Sequence, residues 1–197
     1  MNKTNLLKNI AQCGYDIGFG GKKHFITYDL LRITPRLISV LTMILGVFQL
    51  LSWYKVNVNS GSQDAIAAAL IAIGLIALVV DLMSDNKEEY NVVGKQLIMY
   101  FNELRRMHLT VISKDESDDF TVQITRLEEI VDEASKISIS KQAICTHWLT
   151  HFGFFYVMQS KWVVDELKLN WRDKYPLFHL ETMAFMVIVL MILYWTL

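Results

Sequence analysis

The sequence predicts an all-α membrane protein: a two-helix transmembrane hairpin, a cytosolic helical bundle and a candidate third transmembrane helix. Two apolar runs predict the hairpin, because residues 37–56 carry only Lys55 as a charge and residues 65–80 carry none. Each run is near the roughly 20 apolar residues that a helix needs to cross a bilayer. The chain is 53% hydrophobic, which favours lipid around these runs over the alternative of two buried core helices in a soluble bundle.

The distribution of basic residues predicts the orientation of the hairpin. Residues 1–36 contain six Lys or Arg against two Asp, and residues 84–114 contain five more, whereas the link 57–64 contains none. Because Lys and Arg accumulate on the cytoplasmic side of membrane proteins, both ends of the hairpin are predicted to be cytoplasmic and its tip external. The N-terminus is therefore predicted to be cytoplasmic.

Residues 1–36 are predicted to form amphipathic helices on the cytosolic side or at the membrane surface. Gly18, Gly20 and Gly21 predict a break or kink, since each glycine inside a helix costs about 1 kcal/mol relative to alanine. Pro35 is predicted to start the helix of the first run, because proline is well tolerated at the first helical position.

Three basic residues precede the first apolar run and are candidates for contact with lipid head groups or a ligand. They are Lys22, Lys23 and Arg32. A Lys or Arg close to an anionic membrane surface contributes about 1 kcal/mol. A phosphate-binding loop at 18–23 is disfavoured, because the spacing of GxxxxGK[ST] is absent.

Polar side chains in the hairpin are candidates for a water-facing pore lining. Thr42, Gln49 and Ser52 lie loosely on one side of an ideal helical wheel, and Asp81 follows the second run. Helix–helix hydrogen bonding is the alternative for the hydroxyls, and a simple interfacial charge is the alternative for Asp81. Gln49 argues most for a lining, because its amide is costly in lipid.

Small residues in the second run are candidates for close helix packing. They include two small-xxx-small pairs, and the set is Ala65, Ala68, Ala69, Ala72 and Gly74. Small residues let helix backbones approach closely in a membrane. The pattern leaves open whether this packing occurs inside the hairpin or between protomers.

The region 84–176 is predicted to be a cytosolic helical region that includes two amphipathic helices, over 84–113 and 119–137, joined by an acidic link. Further along, His147 and His151 lie four residues apart and could share a helix face as a metal pair. The favoured alternative is an aromatic core or interfacial helix. Residues 177–197 carry one charge, Glu181, and are predicted as a third span, with a helix lying along the interface as the alternative.

No catalytic constellation is found in the sequence, so the chain is expected not to be an enzyme and to need no cofactor or metal. A nucleophile elbow, a zinc motif, a P-loop and a kinase signature are all missing. The net charge of −1 gives no general attraction to nucleic acid, so direct nucleic-acid binding is not expected.

The order of these parts resembles the SLATT family, the SMODS- and SLOG-associating two-transmembrane effector domains. The resemblance covers roughly residues 5–165 and lies in the segment 9–31, NIAQCGYDIGFGGKKHFITYDLL, followed by a proline, a two-span hairpin and a long cytosolic helix. The apolar tail after Pro176 departs from the two-span pattern.

The resemblance implies a membrane effector of a bacterial antiphage system that oligomerises and permeabilises the inner membrane when triggered, causing abortive infection. It implies a homo-oligomer in the lipid bilayer, with a nucleotide second messenger or a partner defence enzyme, such as a nucleotide synthase or reverse transcriptase, upstream. Two alternatives remain open: a membrane-anchored sensor of a nucleotide signal, and a scaffold for a partner enzyme.

Overall fold

The protein is described by a computed structural model over residues 2–82, 86–143, 146–171 and 173–174. All regular elements in these ranges are helices, as the all-α fold class predicts. The predicted third span at 177–197 and Cys145 lie outside the described residues.

Seven α-helices and one π-helical turn follow one another along the chain. Their bounds are α1 Lys3–Gln49, α2 Ser52–Asn57, α3 Ser60–Leu82, α4 Lys87–Ser113, α5 Thr121–Ile137, α6 Thr146–Phe152, the π-turn Gly153–Val157 and α7 Lys161–Leu167. The predicted helices over 84–113 and 119–137 are confirmed as α4 and α5.

The structure divides into two compact units. The described residues of Met1–His24 and Val93–Leu197 form the bundle, and Phe25–Val92 form the hairpin unit. Thus α1 and α4 each contribute to both units. The cytosolic or spanning character assigned to segments 1–36, 37–83, 84–176 and 177–197 stays a prediction.

The first core of the bundle lies among α1, α4 and α5. Leu6 and Ile10 of α1, Leu104 of α4 and Ile130 of α5 are fully buried in it. The apolar positions of these helices recur at three- and four-residue steps, so each helix presents one apolar face to the other two.

A second, aromatic core is formed by α1, α4, the π-turn and α7. Phe101, Phe154 and Val163 are buried there. Phe154 contacts the rings of Tyr15, Phe19 and Phe101 with centroid distances of 5.4, 5.9 and 6.3 Å. These edge-to-face contacts match the favoured geometry of aromatic pairs.

The predicted break at Gly18–Gly21 is wrong, because α1 is helical throughout this stretch. Gly18 serves close packing instead. A Cβ atom on Gly18 would lie 2.5 Å from Phe101 Cδ2 and 2.9 Å from Phe154 Cε2. The cost of glycine in a helix is therefore offset by the close approach of two buried rings.

The prediction that Pro35 begins a helix is also wrong, since Pro35 lies inside α1. Ser39 Oγ donates to the Pro35 carbonyl oxygen at 2.9 Å. This is the usual bond of a helical serine to the carbonyl four residues earlier. The continuous helix α1 joins the bundle segment to the first apolar run.

The first apolar run is not one helix, because α1 ends at Gln49 and α2 begins at Ser52. Tyr54 of α2 is buried and packs on Phe48 of α1 with a centroid distance of 5.8 Å. The two residues between α1 and α2 are leucines, so neither a glycine nor a proline predicts this interruption. The contact between Phe48 and Tyr54 accompanies it instead.

Candidate functional site in the membrane hairpin

The face of α3 that packs on α1 carries mostly small side chains, which recur at steps of three or four residues. Ala67, Leu70, Gly74 and Ala77 are the less exposed positions of the apolar part of α3, and Ala77 is only 2% exposed. Thr42 Cγ2 of α1 lies 4.0 Å from the point where Gly74 would carry a Cβ. A Cβ at Gly74 would therefore make only ordinary van der Waals contact with Thr42, and the two helices approach each other at this point without needing a glycine.

The tip of the hairpin is closed by side-chain hydrogen bonds to the backbone. Asn59 Oδ1 accepts from the Ser62 backbone N–H at 2.8 Å, as an N-terminal cap of α3 would. Gln63 Nε2 donates to the Val58 carbonyl at 2.6 Å and to the Lys55 carbonyl at 3.3 Å. The polar link is therefore shorter than the predicted 57–64, and two of its residues act as caps.

The predicted lining residues lie at three separate places. Thr42 and Gln49 are half-buried on α1, whereas Ser52 is exposed on α2 and Asp81 is exposed near the end of α3. Because of the interruption after Gln49, Ser52 does not share a helical wheel with the other two. The lining role of all four stays a prediction.

The side-chain amide of Gln49 has an environment that bears on its predicted pore-lining role. Its Nε2 is buried and has no hydrogen-bond partner within the described ranges. A buried amide without a partner costs roughly 1–3 kcal/mol on mutational scales.

Four of the predicted packing residues point away from α1. Ala65, Ala68, Ala69 and Ala72 are exposed, and only Gly74 of the set lies toward α1. On a helix of 3.6 residues per turn these alanines fall opposite the Ala67–Ala77 face. Packing between protomers is the alternative that remains for them, and it stays a prediction.

The three predicted head-group contacts also differ from one another in surroundings. In the bundle, the Lys22 side chain lies against Gly153, and Lys23 is half-buried. In the hairpin unit, Arg32 is exposed and lies over the Tyr28 ring, with its guanidinium carbon 5.8 Å from the ring centroid. Contact of any of these residues with head groups stays a prediction.

Arg36 and Lys87 were missed as candidate site residues by the sequence analysis, although both line one cavity with Arg32 and Asp81. Arg36 was detectable, because residues four apart share a helix face and Arg32 precedes it by four. Lys87 was not, since its position depends on how the chain turns between α3 and α4.

The two hairpin helices pass a test of length and composition for membrane spans. Lys3–Gln49 and Ser60–Val79 each contain an apolar window long enough to cross a bilayer, and only 6% of either window is buried. Helices of a soluble core would be mostly buried, so lipid is the better partner for these surfaces.

A family model described as "SMODS and SLOG-associating 2TM effector domain 6" matches residues 1–184.

The chain belongs to the SLATT family. The predicted family resemblance is thereby confirmed over nearly the whole chain. Searches of curated proteins and of solved structures found no match.

Membership in the SLATT family establishes a coarse function. The chain is a membrane effector domain of bacterial conflict systems, and the family's name associates it with SMODS and SLOG partners. The two candidate spans and the two-transmembrane family agree on a membrane location.

The histidines of the SLATT bundle take part in packing. His147 and His151 have ring centroids 4.8 Å apart, and both contact Phe19, at 5.4 and 4.9 Å. Within the described ranges no group of three or more metal-binding side chains is found. His151 is buried against Phe19, whereas Trp148 and Phe152 of the same helix are exposed, so the helix has features of both a core and an interfacial aromatic helix.

His24 fastens the segment after α5 to α1. Its Nδ1–H donates to the Gly20 carbonyl at 2.7 Å, and its Nε2 accepts from the Ile139 backbone N–H at 3.1 Å. Both bonds together require the neutral ring. Burial lowers the pKa of His24, and the neighbouring Lys23 lowers it further, although the hydrogen bond to the Gly20 carbonyl acts in the opposite direction.

The SLATT bundle should lose stability as the pH falls from 7.5 to 5.5. Unfolded His24 takes up a proton near its usual pKa of about 6.5, whereas the folded residue resists protonation. Stability is therefore fully present above pH ~6.5 and declines as pH falls toward the lower folded pKa.

Thermal unfolding of the detergent-solubilised protein at the two pH values measures this dependence. In His24→Gln the difference in Tm between pH 7.5 and 5.5 should shrink. An unchanged Tm for the wild type across this interval would contradict the assignment of His24 as a buried neutral ring.

Proposed function

We propose that this SLATT protein oligomerises in the bacterial inner membrane and permeabilises it when triggered, producing abortive infection. The observation that carries the proposal is the outward, exposed position of Ala65, Ala68, Ala69 and Ala72 on α3. Two spanning helices alone cannot enclose a channel, so a pore needs several copies. A small-residue face directed away from α1 suits close contact between them.

The lining of the proposed pore would include Thr42 and Gln49, with Ser52 and Asp81 nearer to its ends. The amide of Gln49 supports this arrangement, because such a polar side chain is costly to keep within a membrane span unless it has a function there. A charged residue such as Asp81 near the end of a span can form a ring in an oligomer.

In the proposed resting state, the cytosolic bundle holds a closed or unassembled form. A trigger can shift this population only if it binds the two states with different affinity. We propose that the trigger comes from a partner defence enzyme, a nucleotide synthase or reverse transcriptase, directly or through a nucleotide messenger. The chain itself would act without catalysis, with its N-terminus in the cytoplasm.

Inducible expression in bacteria with a membrane-potential dye tests the proposal. High expression should favour assembly by mass action, so potential should collapse before growth stops. The double substitution Ala68→Leu with Ala72→Leu should abolish the collapse while the protein still inserts, because bulk on this face keeps protomers apart.

The matched control is Ile71→Leu, which changes shape but not volume at a side chain that is 66% exposed on the same helix. It should depolarise cells like the wild type. Cell death with an intact potential and full dye retention would mean that the protein kills by another route.

A further inference from the structure

A cavity of about 750 Å³ lies in the hairpin unit where α1 and α3 meet the start of α4. Three cations line it: Arg32 and Arg36 of α1, and Lys87 of α4. One carboxylate, Asp81 of α3, also lines it. The formal charge of the lining is therefore positive, and the cavity is large enough for more than a single ion.

The cations of this cavity are only partly neutralised by the protein. Lys87 Nζ lies 3.7 Å from Asp81 Oδ1. Arg32 lies over Tyr28, which is not an anion. Arg36 is exposed and has no carboxylate within ion-pair distance among the described residues. An anion from outside the chain would complete this set.

The remaining wall of the cavity is mostly apolar. Val40 of α1, with Ala77 and Leu78 of α3, supplies its apolar part, and Ser39 adds a hydroxyl. Arg36 immediately precedes the first apolar run, so insertion of the hairpin would bring it to the depth of lipid phosphates. A ligand that is anionic at one end and apolar at the other fits both parts of the cavity.

We propose that this cavity binds the phosphate of an anionic phospholipid, with its acyl chain along the Val40–Leu78 wall. Basic pockets between transmembrane helices on the cytoplasmic side are suited to anionic head groups. The site goes beyond the general surface attraction expected for Arg32, because it is a defined cavity that includes Arg36 and Lys87. It needs only an inserted hairpin and is independent of pore formation.

Native mass spectrometry of the full-length protein tests the site. The protein is extracted in detergent and given phosphatidylglycerol or phosphatidylcholine at equal concentration. The wild type should retain one molecule of phosphatidylglycerol preferentially. Arg32→Gln with Arg36→Gln should weaken that retention by roughly 30-fold, about fivefold for each arginine.

The control is Arg106→Gln, which makes the same type of substitution once, at an exposed arginine of α4 in the bundle. It should retain phosphatidylglycerol like the wild type. Equal retention of the two lipids, or unchanged retention by the double variant, would overturn the proposal.

A second arm distinguishes a lipid from a soluble phosphate compound. Inorganic phosphate or ATP at millimolar concentration is added to the loaded wild-type protein. The bound phosphatidylglycerol should stay, because its acyl chain adds apolar contacts that soluble compounds lack. Displacement of the lipid by either compound would show a site for soluble phosphates and overturn the lipid assignment.

Discussion

Replacement of Phe154 by alanine should lower the Tm of the bundle by roughly 10 °C. Phe154 is fully buried and contacts three aromatic side chains of α1 and α4. Removal of a buried phenylalanine ring costs about 3–5 kcal/mol, because the cavity it leaves closes only in part. In a protein of this size each kcal/mol corresponds to about 2–4 °C.

Phe152→Ala provides the matched control for this experiment. Phe152 ends the preceding helix, is 61% exposed and stacks on Tyr156 with a centroid distance of 5.4 Å. Its loss should change Tm by about 2 °C or less, since little area is returned to water. Near-UV circular dichroism of the detergent-solubilised variants would follow the aromatic core directly. Similar losses for both variants would show that Phe154 is not a core residue.

Alanine substitutions at Gly18 and Gly20 should change the stability of the bundle in opposite directions. A Cβ on Gly18 would overlap Phe101 and Phe154, which are 2% and 0% exposed and have no room to move. Such overpacking typically costs about 1–3 kcal/mol. The gain of about 1 kcal/mol from replacing glycine in a helix offsets only part of it, so Gly18→Ala should lower Tm by several degrees.

Gly20 lies in the same helix, but the space next to its Cα atom is open. A Cβ there would have only Leu97 Cδ1 nearby, at 3.8 Å, which is ordinary van der Waals contact. The helix gain is therefore not offset, and Gly20→Ala should raise Tm by about 2–4 °C. Thermal unfolding of the two variants in one detergent compares them. A rise in Tm for Gly18→Ala would mean that the rings yield and that the close approach is unimportant.

The order and type of the main elements could be predicted from local patterns. Apolar runs, the amphipathic spacing of α4 and α5, and the polar link between spans are properties of short stretches. The family resemblance of residues 9–31 can also be recognised from the amino-acid sequence alone. In contrast, the sequence did not predict that Arg32, Arg36 and Lys87 line one cavity, because two spans and a turn separate Arg36 from Lys87.

The sequence by itself determined the all-α class, the two candidate membrane spans and the resemblance to the SLATT family. The class and the candidate spans follow from hydropathy and periodicity, which each segment carries independently of its neighbours, and the resemblance follows from the segment 9–31 and the order of the parts. The tertiary structure alone decided that α1 continues through Gly18–Gly21 and Pro35 yet stops at Gln49. The reason is that the free-energy cost of a glycine in a helix, or of a break in a helix, depends on which residues pack against it. Phe101 and Phe154, distant along the chain, occupy the space at Gly18, and Tyr54 packs on Phe48 where no local signal ends a helix.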